Sequence, residues 1–337
     1  MDPVRALRQI ATYLELAGEP SHKSQAFRRA ASVISALPDG ELEQRLRAGT
    51  ITALPGIGKT TGTVITEAAA GQEPAYLTAL GERTAKPMAT SEVGAALRAA
   101  LRGDCHTHSE WSDGGSPIQE MAETAADLGH EWMVLTDHSP RLTVANGLSA
   151  ERLRQQLEVV AELNLELAPF RILTGIEVDI LEDGSLDQEP ELLSMLDIVV
   201  ASVHSLLRMP SPEMTERMIT AVQNPNVDIL GHCTGRKVAG GRTRPESTFD
   251  PHAVFSACRD NGVAVEINSR PERLDPPRRL LRLAVELGCV FSIDSDAHAP
   301  GQLHWLGYGC ERAEQCGVTP DRIINTRSMD ELLAWAN

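Results

Sequence analysis

The sequence predicts an α/β protein in which a barrel of parallel strands follows a small all-α domain. Three observations carry that reading. From residue 104 onward, short apolar runs alternate with longer amphipathic ones, the order of repeated strand–helix units. Residues 1–80 instead hold only helical periodicity, broken by the turn Leu54-Pro55-Gly56-Ile57-Gly58. Between these regions, Asp104-Cys105-His106-Thr107-His108 sets two imidazoles two residues apart, on one face of a short strand, where two imidazoles can grip one cation. A strand with two solvent-facing histidines reads the same way, so the remaining ligands must decide.

A chain of 337 residues fits a barrel-sized domain plus a small one. Hydrophobic residues at 42% and aromatics at 4% describe a globular composition. No apolar run is long enough to span a bilayer, and the first twenty residues carry Asp2, Arg5, Arg8, Glu15 and Glu19. Neither a membrane span nor a secretory leader is expected, and the predicted location is the cytoplasm. Cys105, Cys233, Cys258, Cys289, Cys310 and Cys316 form no Cys-x-x-Cys pair, against a zinc ribbon or disulfide framework; they read as small buried apolar residues. The net charge of −16 is uneven: residues 1–95 hold 10 basic and 10 acidic side chains, residues 104–337 hold 19 and 37. Such an acidic rear region repels a phosphate polymer unless cations or local basic patches offset it.

Taking the elements in order, Val4, Leu7, Ile10, Leu14 and Ala17 predict a helix over 3–17, and Ala26, Phe27, Ala30, Ala31, Val33 and Ile34 a second over 23–36. Pro38-Asp39-Gly40 is a turn before a short helix over 41–48, and a fourth helix is predicted over 60–70, capped by Gly71. Gly56 and Gly58 place backbone N–H groups at a helix N-terminus, where with Lys59 and Thr60 they can hold one backbone phosphate of a nucleic acid. A plain glycine-capped turn fits Gly-x-Gly equally well, whereas a Walker A loop does not, its spacing and preceding strand being absent.

Ala26-Phe27-Arg28-Arg29-Ala30-Ala31-Ser32-Val33-Ile34, followed by Leu54-Pro55-Gly56-Ile57-Gly58, resembles the helix-hairpin-helix N-terminal domain of family X DNA polymerases, over roughly residues 3–80. The resemblance implies DNA-backbone binding through Gly56, Gly58, Lys59 and Thr60. Some members carry a lyase lysine on the helix after the hairpin; the helix predicted over 60–70 has none, so lyase activity is not expected. The domain boundary is set at 80, with residues 81–102 as a linker and a connecting helix starting at Ser91. Palm and fingers have no room before Asp104, so polymerase activity is not expected either.

From 104, strands are predicted near 104–107, 132–136, 172–178, 197–203, 227–231, 262–267 and 289–294. Helices are predicted over 117–128, 150–167, 189–195, 212–222, 251–260, 277–287 and 301–316. In parallel barrels functional groups collect at the C-terminal ends of the strands. The polar residues fall there: His106, His108 and Asp113; Asp137-His138; Glu177 and Asp179; His204; His232; Asp294-Ser295-Asp296-Ala297-His298. His22, His130, His252 and His304 have no such context and read as structural or exposed.

Asp104-Cys105-His106-Thr107-His108 with Ser112-Asp113-Gly114, Leu135-Thr136-Asp137-His138, Gly175-Ile176-Glu177-Val178-Asp179, Ser202-Val203-His204, Gly231-His232 and Ser295-Asp296-Ala297-His298 resemble the PHP (polymerase and histidinol phosphatase) family over 103–337. The likeness is to the C-terminal PHP domain of bacterial family X polymerases. It implies a distorted seven-stranded (β/α)7 TIM-like barrel with three divalent metal ions. Carried over by position, it puts His106, His108, Glu177 and Asp296 on one ion, Glu177 with His204 and His232 on a second, and Asp113, His138 and His298 on the third. Cys233 stands where relatives commonly have proline and is expected to be a spectator. Mixed imidazole and carboxylate ligands suit Mn, Zn or Fe, and clustered divalent ions polarise phosphoryl oxygens, activate water and stabilise a departing alkoxide. Asp104, Asp137, Asp179 and Asp294 are candidates to orient ligating histidines, or ordinary capping residues.

Two loops bring positive charge to the same face. Arg236, Lys237, Arg242 and Arg244 follow His232, and Arg270 and Arg273 follow Glu266-Ile267-Asn268. Arg236, Lys237, Asn268 and Arg270 are the expected substrate contacts, with Arg236 and Arg270 stabilising charge as metal-bound water attacks phosphorus. The expected function is a 3′-to-5′ exonuclease or 3′-phosphatase on DNA ends, in concert with repair proteins. A small-molecule phosphatase of histidinol-phosphate type is the alternative, and a non-catalytic DNA-binding repair scaffold a third reading.

Overall fold

The computed structural model describes residues 1–84, 91–239 and 243–336, and the chain divides into two units, Met1–Pro87 and Met88–Asn337. The first unit is helical: α1 (Pro3–Leu16), α2 (Ser21–Ser35), α3 (Glu41–Ala48), α4 (Lys59–Ala69) and α5 (Ala75–Thr84). Asp2 opens α1 by accepting from the Arg5 amide at 2.6 Å, ahead of Pro3 at the first helical position. Leu7, Ile10 and Leu14 of α1 bury against Phe27, Ala30 and Ile34 of α2 and Val64 and Ile65 of α4. Beneath them the Arg28 guanidinium lies 2.5 Å from Glu15, both side chains buried.

Two expectations are corrected here. Helix α5 was not predicted, and it runs past residue 80, where the linker was expected to begin: Pro74 sits just before the helix and its carbonyl accepts from Leu77 and Thr78, so it starts the helix. Leu77 and Leu80 of α5 join the core of the unit. Helix α4 also starts one residue early, so Lys59, exposed, is its first residue, and the helix after the hairpin does carry a lysine.

In the second unit, α6 (Glu92–Ala100) is capped by Ser91, whose hydroxyl and amide both reach Glu311. There follow β1 (Gly103–Thr107), α7 (Ile118–Asp127), β2 (Trp132–Leu135), α8 (Ala150–Glu166), β3 (Arg171–Asp179), α9 (Pro190–Leu193), β4 (Ile198–Ser202), α10 (Ser211–Val222), β5 (Ile229–Leu230), α11 (Pro251–Asp260), β6 (Ala264–Asn268), α12 (Arg278–Leu287), β7 (Phe291–Asp294), α13 (Leu306–Gln315) and α14 (Met329–Ala336). All seven strands are parallel in the order β1 to β7. The ring is nearly closed: Thr107 bridges Ala297, and the His108 amide donates to the Ala297 carbonyl at 2.8 Å. Helix α14 was not predicted; its Leu332 packs with Cys105, Trp132, Val134, Leu173, Val200 and Ile229.

Strand alternation then positions the site. In β3, Leu173 belongs to that apolar cluster, and Gly175 and Glu177 follow on the same face at two-residue steps. Glycine is required at 175, since a Cβ would lie 2.6 Å from Val134 and 2.8 Å from the Ile198 carbonyl. In β6, Ala264 of the cluster is followed on its face by Glu266 and Asn268. Both strands therefore run from an apolar interior to a polar C-terminal end.

Candidate metal centre

Glu177 is the hub. Its Oε2 lies 3.3 Å from His106 Nε2, 3.7 Å from His108 Nε2 and 2.8 Å from His138 Nδ1. Its Oε1 lies 3.3 Å from His204 Nε2 and 2.8 Å from His232 Nε2. Asp113 Oδ1 stands 3.5 Å from His138 Nε2 and 3.3 Å from His298 Nε2, and Asp296 Oδ1 stands 3.5 Å from His108 Nε2. All nine residues expected as ligands are thus gathered at the strand ends. Asp296 adopts φ +52°, a left-handed conformation that a short polar side chain tolerates and that marks a position held by its surroundings.

Buried polar atoms are ordinarily paired. Here His106 Nε2, both ring nitrogens of His108 and His232, His138 Nδ1, His204 Nε2 and both Glu177 oxygens find no hydrogen-bond partner among the described residues. Three groups have ligand atoms close enough to share an ion: His108, Asp113, His138 and His298; His106, His108 and Glu177; His138, Glu177 and His204. Nitrogen and carboxylate donors left open and buried fit divalent ions of the Mn, Zn or Fe kind.

The charge balance favours the ligand form at Glu177, His108 and His232 only: against burial, Glu177 with Glu266 raises His106 well above its ordinary value, and Glu177 with Asp179 raises His204 to about 9, so these two rings give up a proton when they take a metal. Burial works against the Glu177 carboxylate, but His204, His106 and His138 outweigh it and hold its pKa well below the usual range. Burial, then His298 and His138, keep His108 well below its ordinary value, and burial with Arg273 lowers His232 to about 3. Both imidazoles are neutral, the state that binds metal.

Of the four aspartates expected to orient histidines, Asp179 does so, contacting His204 Nδ1. The other three fasten the frame instead. Asp137 accepts from Ser109, Ser112 and Gln156; Asp104 from Ser295 and the His106 amide; Asp294 from the Cys105 amide and Asn325. The residue that sequence reasoning missed is Glu266: its Oε1 lies 2.6 Å from His106 Nδ1, and its Oε2 accepts from the His232 amide. Burial pushes its carboxyl up to about 7. Its only sequence signal is its place near the end of β6, 160 residues from its partner.

The expected substrate contacts separate. Arg270 stays at the centre, its Nη1 3.3 Å from Asp296 Oδ1 and 3.1 Å from His298 Nδ1, with Glu272 on its other edge. Asn268 is buried; its amide donates to Asp296 at 3.1 Å and its oxygen accepts from the Arg270 amide, so it orients these two residues. Arg236 is tied to the Arg273 and Leu274 carbonyls and lies 3.5 Å from Glu246. Lys237 and Arg244 exchange backbone hydrogen bonds of 2.9 Å across their loop, while Arg242 lies outside the described residues. Cys233 turns into an apolar cluster with its sulfur 3.9 Å from Asp275. His22 and His252 are exposed and His130 is buried, none of them in the three groups.

A parallel barrel that gathers imidazoles and carboxylates around one glutamate at its strand ends defines a metal-dependent phosphoesterase. Residues 104–270 match the PHP domain model, and residues 1–73 match a helix-hairpin-helix domain. The chain is 40% identical over 235 residues to the DNA polymerase/3′-5′ exonuclease PolX of Bacillus subtilis (strain 168), a stretch covering 70% of this chain and 41% of that protein. It spans less than half of that relative. It is 31% identical over 234 residues to a probable phosphatase of Thermoanaerobacter sp. (strain X514), covering 66% of this chain and 89% of the relative. A histidinol phosphate phosphatase structure from Lactococcus lactis, solved with zinc, L-histidinol and phosphate, is 19% identical with a TM-score of 0.48, covering 65% of this chain and 95% of that one. The chain belongs to the PHP family and carries an N-terminal helix-hairpin-helix domain.

Proposed function

We propose that the chain hydrolyses phosphate esters at DNA 3′ ends, as a 3′-to-5′ exonuclease or 3′-phosphatase working in the cytoplasm beside repair proteins. The observation that carries this reading is the set of open, buried ligand atoms on Glu177 and five histidines in a chain that also holds a helix-hairpin-helix domain. The PolX relative, whose name includes a 3′-5′ exonuclease, supports it. In the helical unit, Gly56, Gly58, Lys59 and Thr60 hold a DNA backbone phosphate at the N-terminus of α4.

His106, His108, Glu177 and Asp296 would hold one ion, Glu177 with His204 and His232 a second, and Asp113, His138 and His298 a third. Such ions, when bound, polarise phosphoryl oxygens and activate water. The chain's own residues do the rest. Glu266 and Asp179 fix the rings of His106 and His204, and Arg270 keeps positive charge at the Asp296 and His298 edge, where negative charge on phosphate grows.

A second reading, hydrolysis of a small phosphate monoester of histidinol-phosphate type, is favoured by one feature. Beside the loop that follows His204, a cavity of about 680 Å³ is lined by Glu182, Asp183, Glu213 and Glu216 against Arg208 and Arg217, a net acidic surface that suits a cationic leaving group better than a polyanion. Turnover of the Mn-loaded chain on 5′-labelled primer-template DNA and on histidinol phosphate, with His106→Ala as control, separates the readings. Stepwise 3′ shortening or 3′-phosphate release, lost in the variant, is expected; inert DNA with efficient histidinol phosphate turnover contradicts the DNA reading.

A further inference from the structure

We propose that Leu206 is a specificity residue: it forms the lip between the metal centre and the neighbouring cavity, and its side chain packs on the organic half of the phosphate ester. This deepens the phosphoester reading and rests on it. Leu206 adopts φ +51° and is 52% exposed. A bulky side chain in the left-handed region is an outlier that persists only where the surroundings over-determine the backbone. An exposed leucine also returns none of the burial free energy that would offset such strain. The folded chain by itself draws no stability from this arrangement, and a bound ligand is what can use it.

Its neighbours hold it in place. The buried Arg217 of α10 donates to the Ser205 carbonyl at 3.0 Å and to the Leu181 carbonyl at 2.7 Å. Ser247 Oγ donates to the Leu207 carbonyl at 2.8 Å, and the Leu206 carbonyl accepts from the Met209 amide, also at 2.8 Å. Both flanks of residue 206 are thus fastened to distant parts of the chain, and the side chain between them is left in the open. Leu274, the other leucine with positive φ among the described residues, is half-buried instead.

Position identifies the occupant. His204 stands two residues earlier with its Nε2 3.3 Å from Glu177, so the Cα of Leu206 is at most about 7 Å from that of a proposed metal ligand. Leu206 also lines the cavity of about 680 Å³, where Met209 and Pro210 accompany it as apolar lining. An ester whose phosphate sits among the ligands projects its organic group away from them, and the space beside His204 is this cavity. A leucine offers that group an apolar contact and offers the phosphate none, so its effect falls on the choice of ester. The ligand chemistry is a phosphate ester whose organic half has an apolar face, which a nucleotide and a histidinol-type alcohol both supply.

The test is Leu206→Gly, which removes the side chain and suits a left-handed backbone. Thymidine 5′-monophosphate, L-histidinol phosphate and inorganic phosphate are each titrated by calorimetry into the Mn-loaded full chain; where an ester is cleaved, the heat rate gives its KM instead. Leu206→Gly is expected to weaken one of the esters, or raise its KM, roughly tenfold, with inorganic phosphate affinity and bound Mn as in wild type and Tm equal or higher. Leu206→Met, which restores an apolar side chain, is expected to recover most of that loss. The ester that responds identifies the source: the nucleotide for a DNA end, histidinol phosphate for a small monoester. Unchanged ester affinity in Leu206→Gly overturns the assignment, as does a lowered Tm with all three ligands weakened together, the mark of a structural leucine. A wild-type chain that holds neither ester more tightly than inorganic phosphate overturns it too. Turnover on the same samples separates the two proposals. Esters held through Leu206 without cleavage sink the phosphoester reading alone; cleavage with a wild-type KM in Leu206→Gly sinks the leucine assignment alone.

Discussion

In the helical unit the buried Arg28 guanidinium makes two hydrogen bonds to Glu15, at 2.7 and 2.5 Å, whereas at the barrel mouth the buried Glu177 carboxylate and five imidazoles keep open atoms. Both arrangements sequester polar groups from water, at a cost that pairing must offset. The first is closed by the protein itself and so belongs to the fold. The second is left open and so belongs to whatever arrives. The barrel repeats the contrast internally: Asp104, Asp137 and Asp294 are fastened to serines, amides and Asn325, while Glu177 a few residues along the next strands is not.

Breaking the open cluster has the largest expected effect. Glu177→Gln removes the carboxylate common to two of the three groups, and turnover is expected to fall on the order of a thousandfold, with bound metal lost in parallel. Near-normal kcat in that variant would mean that the hub is structural. Closing the comparison from the other side, Arg28→Ala removes both hydrogen bonds to Glu15 and is expected to cost the helical unit about 3–5 kcal/mol in urea unfolding, while turnover of a simple phosphate monoester by the barrel stays at the wild-type rate. A neutral result would show that the buried pair is not what closes that core.

The next prediction sharpens the distinction between fastened and orienting carboxylates. Glu266→Gln, which weakens the hold on His106, is expected to lower metal affinity about ten- to a hundredfold, and Asp137→Asn, two hydrogen bonds from serines away from any ring, to leave it unchanged. Equal losses in both would erase the distinction.

The smallest effect concerns Asp228, remote from the open cluster in the chain's pairing, which accepts from the Val199 amide at 2.7 Å. Burial raises its pKa from 3.8 to about 7, so the folded chain favours the neutral acid. The stability it contributes is full below 3.8 and is lost as pH rises through about 7. Asp228→Asn is expected to flatten that slope, seen as a Tm difference of a few degrees on the order given by small stability changes; identical Tm profiles between pH 4 and 8 would contradict it.

Much of this was legible in the sequence because buried parallel strands read as continuous apolar runs, and each ends in a residue that metal chemistry uses. Every predicted strand has a counterpart, and the nine residues proposed as ligands approach one another at the strand ends. What escaped has identifiable causes. Pro74 punctuates the chain and also begins α5, and sequence alone does not say which. Adjacency misled the choice of orienting carboxylates, because strand alternation sends Asp137 away from its neighbour His138 toward Ser109, Ser112 and Gln156, while Glu266 arrives from a distant strand. Arg236 and Arg273 look alike in sequence; only packing shows that one is spent on carbonyls and the other is not.

The most direct measurement is the number of divalent ions retained per chain after Mn loading and gel filtration, counted by plasma mass spectrometry on wild-type protein. Three ions per chain are expected, one for each of the three ligand groups, two of which share Glu177. A chain that elutes without bound metal would contradict the claim that these buried atoms are held open for cations.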